Sequence, residues 1–188
     1  MIKKINSEKN VFLVNEFVTL SITAGLSTRN KKFPIYNPDS NEKDKAKFRE
    51  FLRAFLLKIW VDHKLHKNID ESQLLSYFEK MQRDSAIEFS DLLFEGKLRY
   101  GICQKIINVF LKFLWVSDEI ETPPHAPYDG IIQAKLNNKN LSPWTEINDP
   151  AQYASFVNLA NEISKGNIAK WELKEWNKKW ELEEWNKK

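Results

Sequence analysis

His125 stands in the run PPHAPYD, on a backbone stiffened by Pro123, Pro124 and Pro127 and four residues ahead of Asp129. A histidine whose tautomer is held by a carboxylate can act as a general base, and Tyr128 places a hydroxyl beside it. Upstream, Lys105 and Asn108 offer a cation and an amide that would stabilise an anion or orient a phosphate if the proline segment folds back along them. Together His125, Asp129, Lys105 and Asn108 describe a small hydrolase or nuclease centre. The competing expectation, and the leading one, is structural. No nucleophile is marked and no Gly-rich phosphate loop occurs, so His125 would fasten the proline segment by hydrogen-bonding to backbone.

The other candidate ligands are sparse. His63 and His66 share a helical face at i, i+3 with Asp62 beside them, but Lys64 and Lys67 interleave and a zinc site needs three or four ligands. The expectation is no metal and no cofactor, with both histidines exposed at a helix C-terminus, where their charge complements the negative end of the dipole. Cys103 is the single cysteine, so it has no internal disulfide partner; its apolar surroundings predict a buried thiol and a reducing, cytoplasmic setting. No stretch approaches 18 apolar residues without charge, so no membrane span is expected.

Charge divides the chain unevenly. Residues 1–67 carry 14 Lys/Arg against 7 Asp/Glu, and the remainder carries 15 against 19, so a formal +3 conceals +7 followed by −4. Lys45, Arg49 and Arg53 lie on the polar side of one predicted helix and are the expected contacts for nucleic acid or an acidic protein.

The element that must position these groups is the stretch from Leu98 to Trp115. At about 100° per residue, its Ile, Leu, Phe, Val and Cys side chains cover more than half the circumference, and Gln104, Lys105, Asn108 and Lys112 form one narrow polar stripe. That is a central core helix. Its stripe is expected to face water or a ligand, with Gln104, Lys105, Asn108, Lys112 and Tyr128 as ligand-binding groups.

Around it, residues 11–24 fit either strand or helix, and the face shared by Leu13, Val14, Phe17 and Ala24 favours helix. Asp39 with Glu42, and Asp70 with Gln73, have capping-box spacing. The first introduces an apolar stripe of Phe48, Phe51, Leu52, Phe55, Leu56, Ile59 and Trp60, and the second one of Leu74, Leu75, Phe78 and Met81. Residues 85–96 read as a connector ending at Gly96. Asp129 can cap a short helix, and Asp149, Pro150 and Gln152 mark a clear start for another, with a stripe of Tyr153, Phe156, Val157, Ala160 and Ile163 stopping at Gly166.

The last 18 residues are a tandem nonapeptide, WELKEWNKK then WELEEWNKK. Nine residues turn a helix through about 900°, half a turn out of register, so both copies cannot pack on one core. Trp171 and Trp176 are expected to dock. Trp180 and Trp185 are then left for solvent or for a second copy of the chain, with homo-oligomerisation through them as the functional alternative and a role-free duplication as the other.

Gln104-Lys105, Asn108, Leu111-Lys112 and Trp115, followed by Pro123-Pro124-His125, Pro127 and Asp129, and then by Trp171-Glu172-Leu173 with Trp176-Asn177, form a pattern that resembles a group of uncharacterised bacterial proteins. The resemblance covers roughly the last hundred residues. It departs at Ala126, where the pattern has cysteine, and at Gly130, where it has a basic residue. The group has no established activity, so the resemblance implies none here.

The expected architecture is all-α. One helical domain over 1–170 surrounds the helix at about 98–116, with a Pro-rich crossover and a Trp-rich tail at 171–188. The expected function is a binding module for nucleic acid or another polyanion, with the hydrolase centre and the scaffold role as alternatives.

Overall fold

In the computed structural model, residues 8–28, 30–138 and 140–178 are described, and every regular element among them is helical. The helices are α1 (Glu8–Leu26), α2 (Glu42–His63), α3 (Glu71–Phe89), α4 (Tyr100–Val116), α5 (Gly130–Leu136), α6 (Pro150–Ser164) and α7 (Ile168–Lys178), with single 3-10 turns at Phe94–Gly96 and Trp144–Glu146. They form a single-domain helical bundle, and residues 11–24 resolve in favour of helix.

Local chemistry sets most helix starts. The Asp70 side chain accepts from Gln73 N at 2.8 Å while Gln73 Oε1 accepts from Asp70 N at 3.0 Å, closing the expected capping box. Asp149 accepts from Gln152 N at 2.9 Å with Pro150 at the first helical position. The start of α2 differs from expectation. Asn41, not Asp39, is the cap, and its Oδ1 accepts from Asp44 N at 2.9 Å. Glu42 is already the first residue inside the helix, leaving Asp39 in the preceding turn. The predicted connector at 85–96 is also shorter, because α3 runs on to Phe89. Ser85 is buried inside it, and its hydroxyl accepts from Leu98 N at 3.2 Å. The chain then reverses through Glu95 and Gly96, both at positive φ.

α4 is the core. Phe110, Ile106, Ile107, Leu111 and Leu114 are fully buried, each stabilising the fold by about 1.5–3 kcal/mol. α1 lies antiparallel along it: Asn10 donates to Glu119 at 2.9 Å, Phe17 stacks on Phe113 at 5.2 Å, and Gly25 abuts Ile106. A Cβ on Gly25 would sit 2.2 Å from Ile106 Cγ1, so the missing side chain sets the distance between the two helices. At the other end, Gly101 donates to Ile147 O at 2.9 Å, and a Cβ there would fall 1.8 Å from Trp144 O. The loop before α4 is tied to the same end by Arg99, 3 % exposed, which donates to the carbonyls of Thr145, Phe33 and Pro34.

Two further expectations change on packing. His63 is buried, with Nε2 2.8 Å from the Tyr77 hydroxyl, and so is not one of two exposed histidines. Ile163 is exposed while Tyr153, Phe156, Val157 and Ala160 are buried, because the inward face of α6 ends one turn earlier than its apolar spacing.

Candidate functional site

The polar stripe of α4 does not face water. Gln104 is 0 %, Asn108 1 % and Lys105 7 % exposed, because residues 126–129, Tyr153 of α6 and Trp144 lie over them, while α7 covers Lys112. The reason is a shortage of donors: Pro123, Pro124 and Pro127 have no N–H, so the carbonyls and few amides of that segment must find partners elsewhere. Gln104 supplies them in the manner of a neighbouring strand. Its Nε2 donates to Tyr128 O at 2.8 Å, and its Oε1 accepts from Tyr128 N at 3.2 Å. Asn108 Nδ2 lies 3.1 Å from Ala126 O, 3.2 Å from Gln104 Oε1 and 3.2 Å from the Tyr153 hydroxyl, three acceptors for its two hydrogens.

That arrangement fixes proton positions around His125. The Ala126 carbonyl can only accept, so the Asn108 amide cannot be turned over, and its two hydrogens are shared among Ala126 O, Gln104 Oε1 and the Tyr153 oxygen. The Glu71 carboxylate can likewise only accept, so in the neutral ring Nδ1 bears no hydrogen and accepts from the Tyr153 hydroxyl 3.0 Å away. The proton of the neutral ring sits on Nε2 and is donated to Glu71 Oε1 at 3.1 Å. Burial lowers the His125 pKa, partly offset by Glu71, and the neutral ring suits this chain of bonds. Both ring nitrogens are engaged and the residue is 3 % exposed.

His125 and Asp129 therefore have different partners. Asp129 Oδ1 caps α5, accepting from Ile131 N at 2.9 Å and Ile132 N at 3.0 Å, while Oδ2 holds Lys105 Nζ at 2.6 Å. Further along α4, Lys112 Nζ donates to Glu172 Oε1 at 2.9 Å and lies 2.8 Å from Oε2. Burial raises the Glu172 pKa, opposed by Lys112. Each ammonium also lies over an indole, Lys105 5.7 Å from the Trp144 ring and Lys112 4.9 Å from Trp176. Trp171 packs on the core, so the first tryptophan pair docks as expected. Trp180 and Trp185 lie outside the described residues.

Burial pushes the Cys103 thiol far above its ordinary range, which disfavours the nucleophilic thiolate. Among the described residues no group of three or more His, Cys, Asp and Glu is placed to hold a metal ion, and no helix is long and apolar enough to cross a membrane.

No family model, curated protein or solved structure matches this chain. Its residue pattern and geometry carry the functional reading by themselves. Gln104, Lys105, Asn108, Lys112, His125 and Asp129 all turn into the seam between α4 and its covers, but only Lys105 with Asp129 and Gln104 with Asn108 bond to one another; Lys112 pairs with Glu172, and His125 with Tyr153 and Glu71. Glu71, Tyr153, Trp144 and Glu172 complete the seam. Nothing local marks these four for a polar role; the signal for them is the donor-poor proline run itself, whose carbonyls need amides from elsewhere.

The basic residues form a different kind of place. A groove of about 720 Å³ is lined by Leu26, Thr28, Asn30, Lys31, Tyr36 and Lys45, with other residues of the 34–37 segment. The floor is held rigid: Phe94 N donates to Ile35 O and Asn37 N to Leu92 O, both at 3.0 Å, around an isolated bridge between Tyr36 and Leu93. Lys45 Nζ lies 5.3 Å from the centre of the Tyr36 ring and 3.0 Å from Glu42. Arg49 is 3.8 Å from Glu42, whose side chain is 78 % exposed, so both are weak surface pairs. Arg53 is directed away, its guanidinium donating to Asn15 of α1. A second groove, of about 740 Å³, shares Asn37 but is lined by Asp39, Asp44, Glu88 and Asp91 against Lys47 alone.

Proposed function

We infer that this chain is a non-enzymatic binding module that holds a polyanion, nucleic acid first, in the groove between the 28–37 segment and the start of α2. The observation that carries this reading is the convergence of Lys31 and Lys45 on one rigid groove that also offers the Asn30 and Asn37 amides and the Tyr36 ring. Ammonium groups meet phosphates, amides meet base edges or sugars, and an aromatic ring beside them suits an unpaired base. The +7 balance of residues 1–67 adds long-range attraction, and the neighbouring acidic groove repels the same ligand and limits the footprint. A hydrolase centred on His125 would need a ring nitrogen free to meet a substrate, and both are engaged inside the protein.

The test is fluorescence anisotropy of a labelled single-stranded oligonucleotide with the full chain. Binding through about three phosphate contacts should lose roughly tenfold in affinity between 50 and 200 mM salt. Lys31→Glu and Lys45→Glu should each weaken it by about as much, while Arg53→Glu should matter less. Binding that is absent, or indifferent to both salt and the two lysines, removes the proposal.

A further inference from the structure

The solvent face of α1 is built differently from that of α2. Between Lys9 and the end of α1 at Leu26 the only charge is Glu16, whereas α2 shows Lys43, Lys47, Glu50, Lys58 and Asp62 to solvent. With Val14, Val18, Ile22 and Gly25 turned inward, helical spacing gathers Lys9, Phe12, Leu13, Glu16 and Leu20 on the opposite face. Phe12 is 62 % exposed, Leu20 49 % and Leu13 43 %, and apolar surface gathered in this way marks a contact. A hollow of about 430 Å³ opens among Glu8, Lys9, Phe12 and Leu13. Residues 9, 12, 13 and 16 are the i, i+3, i+4, i+7 set that receives a side chain from a facing helix. Val116 of α4, 51 % exposed, stands one turn past the Phe113 that stacks on Phe17, and so extends the apolar surface beside Leu13.

We propose that this face of α1 is a homodimer interface, in which α1 of a second copy lies antiparallel with the two-fold axis between Phe12 and Leu13. In that register Phe12 of each copy meets Leu13 of the other, and each ring enters the other's hollow. Lys9 of each then meets Glu16 of the other, because the two lie at equal distances on either side of the axis. Neither Lys9 nor Glu16 has an ion-pair partner among the described residues of its own chain. A face with one positive and one negative charge placed symmetrically about its centre complements itself, which is what an isologous contact requires. The charges also reject the alternatives. An axis on Glu16 would set Phe12 against Leu20, but it brings two carboxylates together at the point most shielded from water. A parallel pairing sets lysine against lysine and glutamate against glutamate. The axis lies about 20 Å along α1 from Leu26, so the pairing leaves the polyanion groove uncovered and does not rest on it.

Sedimentation equilibrium of the full chain tests the interface. A single helix pair is at the small end of specific contacts, so the average mass should climb from one chain towards two as concentration rises to about 1 mM. Phe12→Asp should leave a monomer throughout, with helix content and Tm unchanged because that side chain already faces solvent. Lys9→Glu and Glu16→Lys should each raise the dissociation constant about tenfold, since one substitution turns two attractive pairs into two repulsive ones. The double variant Lys9→Glu/Glu16→Lys should return to within about threefold of wild type, the coupling that reads the register. A wild type that stays monomeric overturns the proposal, even if vesicles of phosphatidylglycerol bind it through Phe12. So does a dimer that survives Phe12→Asp, a pair of single variants as tight as wild type, or a double variant no tighter than the singles. A Glu16→Gln variant tighter than wild type also overturns it, because that is the mark of an axis on Glu16.

Discussion

Lys105 and Lys112 lie on the innermost helix with their ammonium groups against Asp129 and Glu172, whereas Lys31 and Lys45 line an open groove. The inner pair is fixed by carboxylate and indole together. The outer pair has at most the weak company of Glu42 and an aromatic face. The same residue type therefore holds the fold together in one place and is left available in the other. The difference lies in what covers it. Over the inner lysines lie the proline segment and α7, which need partners, while the backbone of residues 33–37 is met by residues 92–94 and by Arg99, so Lys31 and Lys45 beside it are left to the groove.

The contrast predicts graded effects, the largest on the inner side. Asp129→Ala leaves Lys105 buried without its carboxylate and removes the α5 cap. It should cost about 3–5 kcal/mol, a Tm drop on the order of 10 °C by differential scanning calorimetry. A loss below about 1 kcal/mol would show that the inner lysine relaxes to water as freely as an outer one.

Next come the tyrosines. The Tyr153 hydroxyl bridges Asn108 and His125, so Tyr153→Phe should cost about 1–3 kcal/mol. The Tyr128 hydroxyl is buried with no protein partner, so Tyr128→Phe should be neutral or slightly stabilising by chemical denaturation. Equal losses at both positions would break the distinction between a bridging hydroxyl and an unpartnered one.

The pH dependence follows. Burial holds His125 below its ordinary 6.5, so the unfolded chain takes up the proton first, and stability is lost as pH falls from about 6.5 through the lowered folded value. Glu172, with its raised pKa, runs the opposite way. Its folded form takes up a proton more readily, so its contribution is fullest below about 4.5 and declines as pH rises through the raised folded value. Comparing wild type with His125→Asn isolates the histidine. The variant should lose less stability than wild type between pH 7 and pH 5.5, and parallel curves would contradict the buried neutral ring.

The smallest effect belongs to the outer lysines. Lys31→Ala and Lys45→Ala should each change stability by no more than about 0.5 kcal/mol in either direction while lowering affinity for polyanions.

Much of the fold was legible because its signals are local. Asp70 with Gln73, and Asp149 with Pro150, announce helix starts within four residues, and the apolar arc of α4 identifies the core helix unaided. The polar stripe was misjudged because its covers come from far along the chain: Tyr128 meets Gln104 across 24 residues and Glu172 meets Lys112 across 60. Periodicity shows which side chains share a face, but not what later lies on it. Tyr153 was legible only as part of the α6 stripe, since its hydroxyl, like that of Tyr128, looks the same in sequence whether or not it finds a partner. Among the basic residues, Lys45 was found by its helical face, while Lys31 needed the fold of its loop to bring it alongside.

The donors from Asn108 through Tyr153 and His125 to Glu71 all point outward, and the Ala126 carbonyl pins the inner end. This gives the row a polarity like that of a one-way street. Its outer terminus is a carboxylate 60 % exposed to solvent. The row thus links an exposed carboxylate on α3 to a buried amide on the innermost helix through two rings, those of His125 and Tyr153.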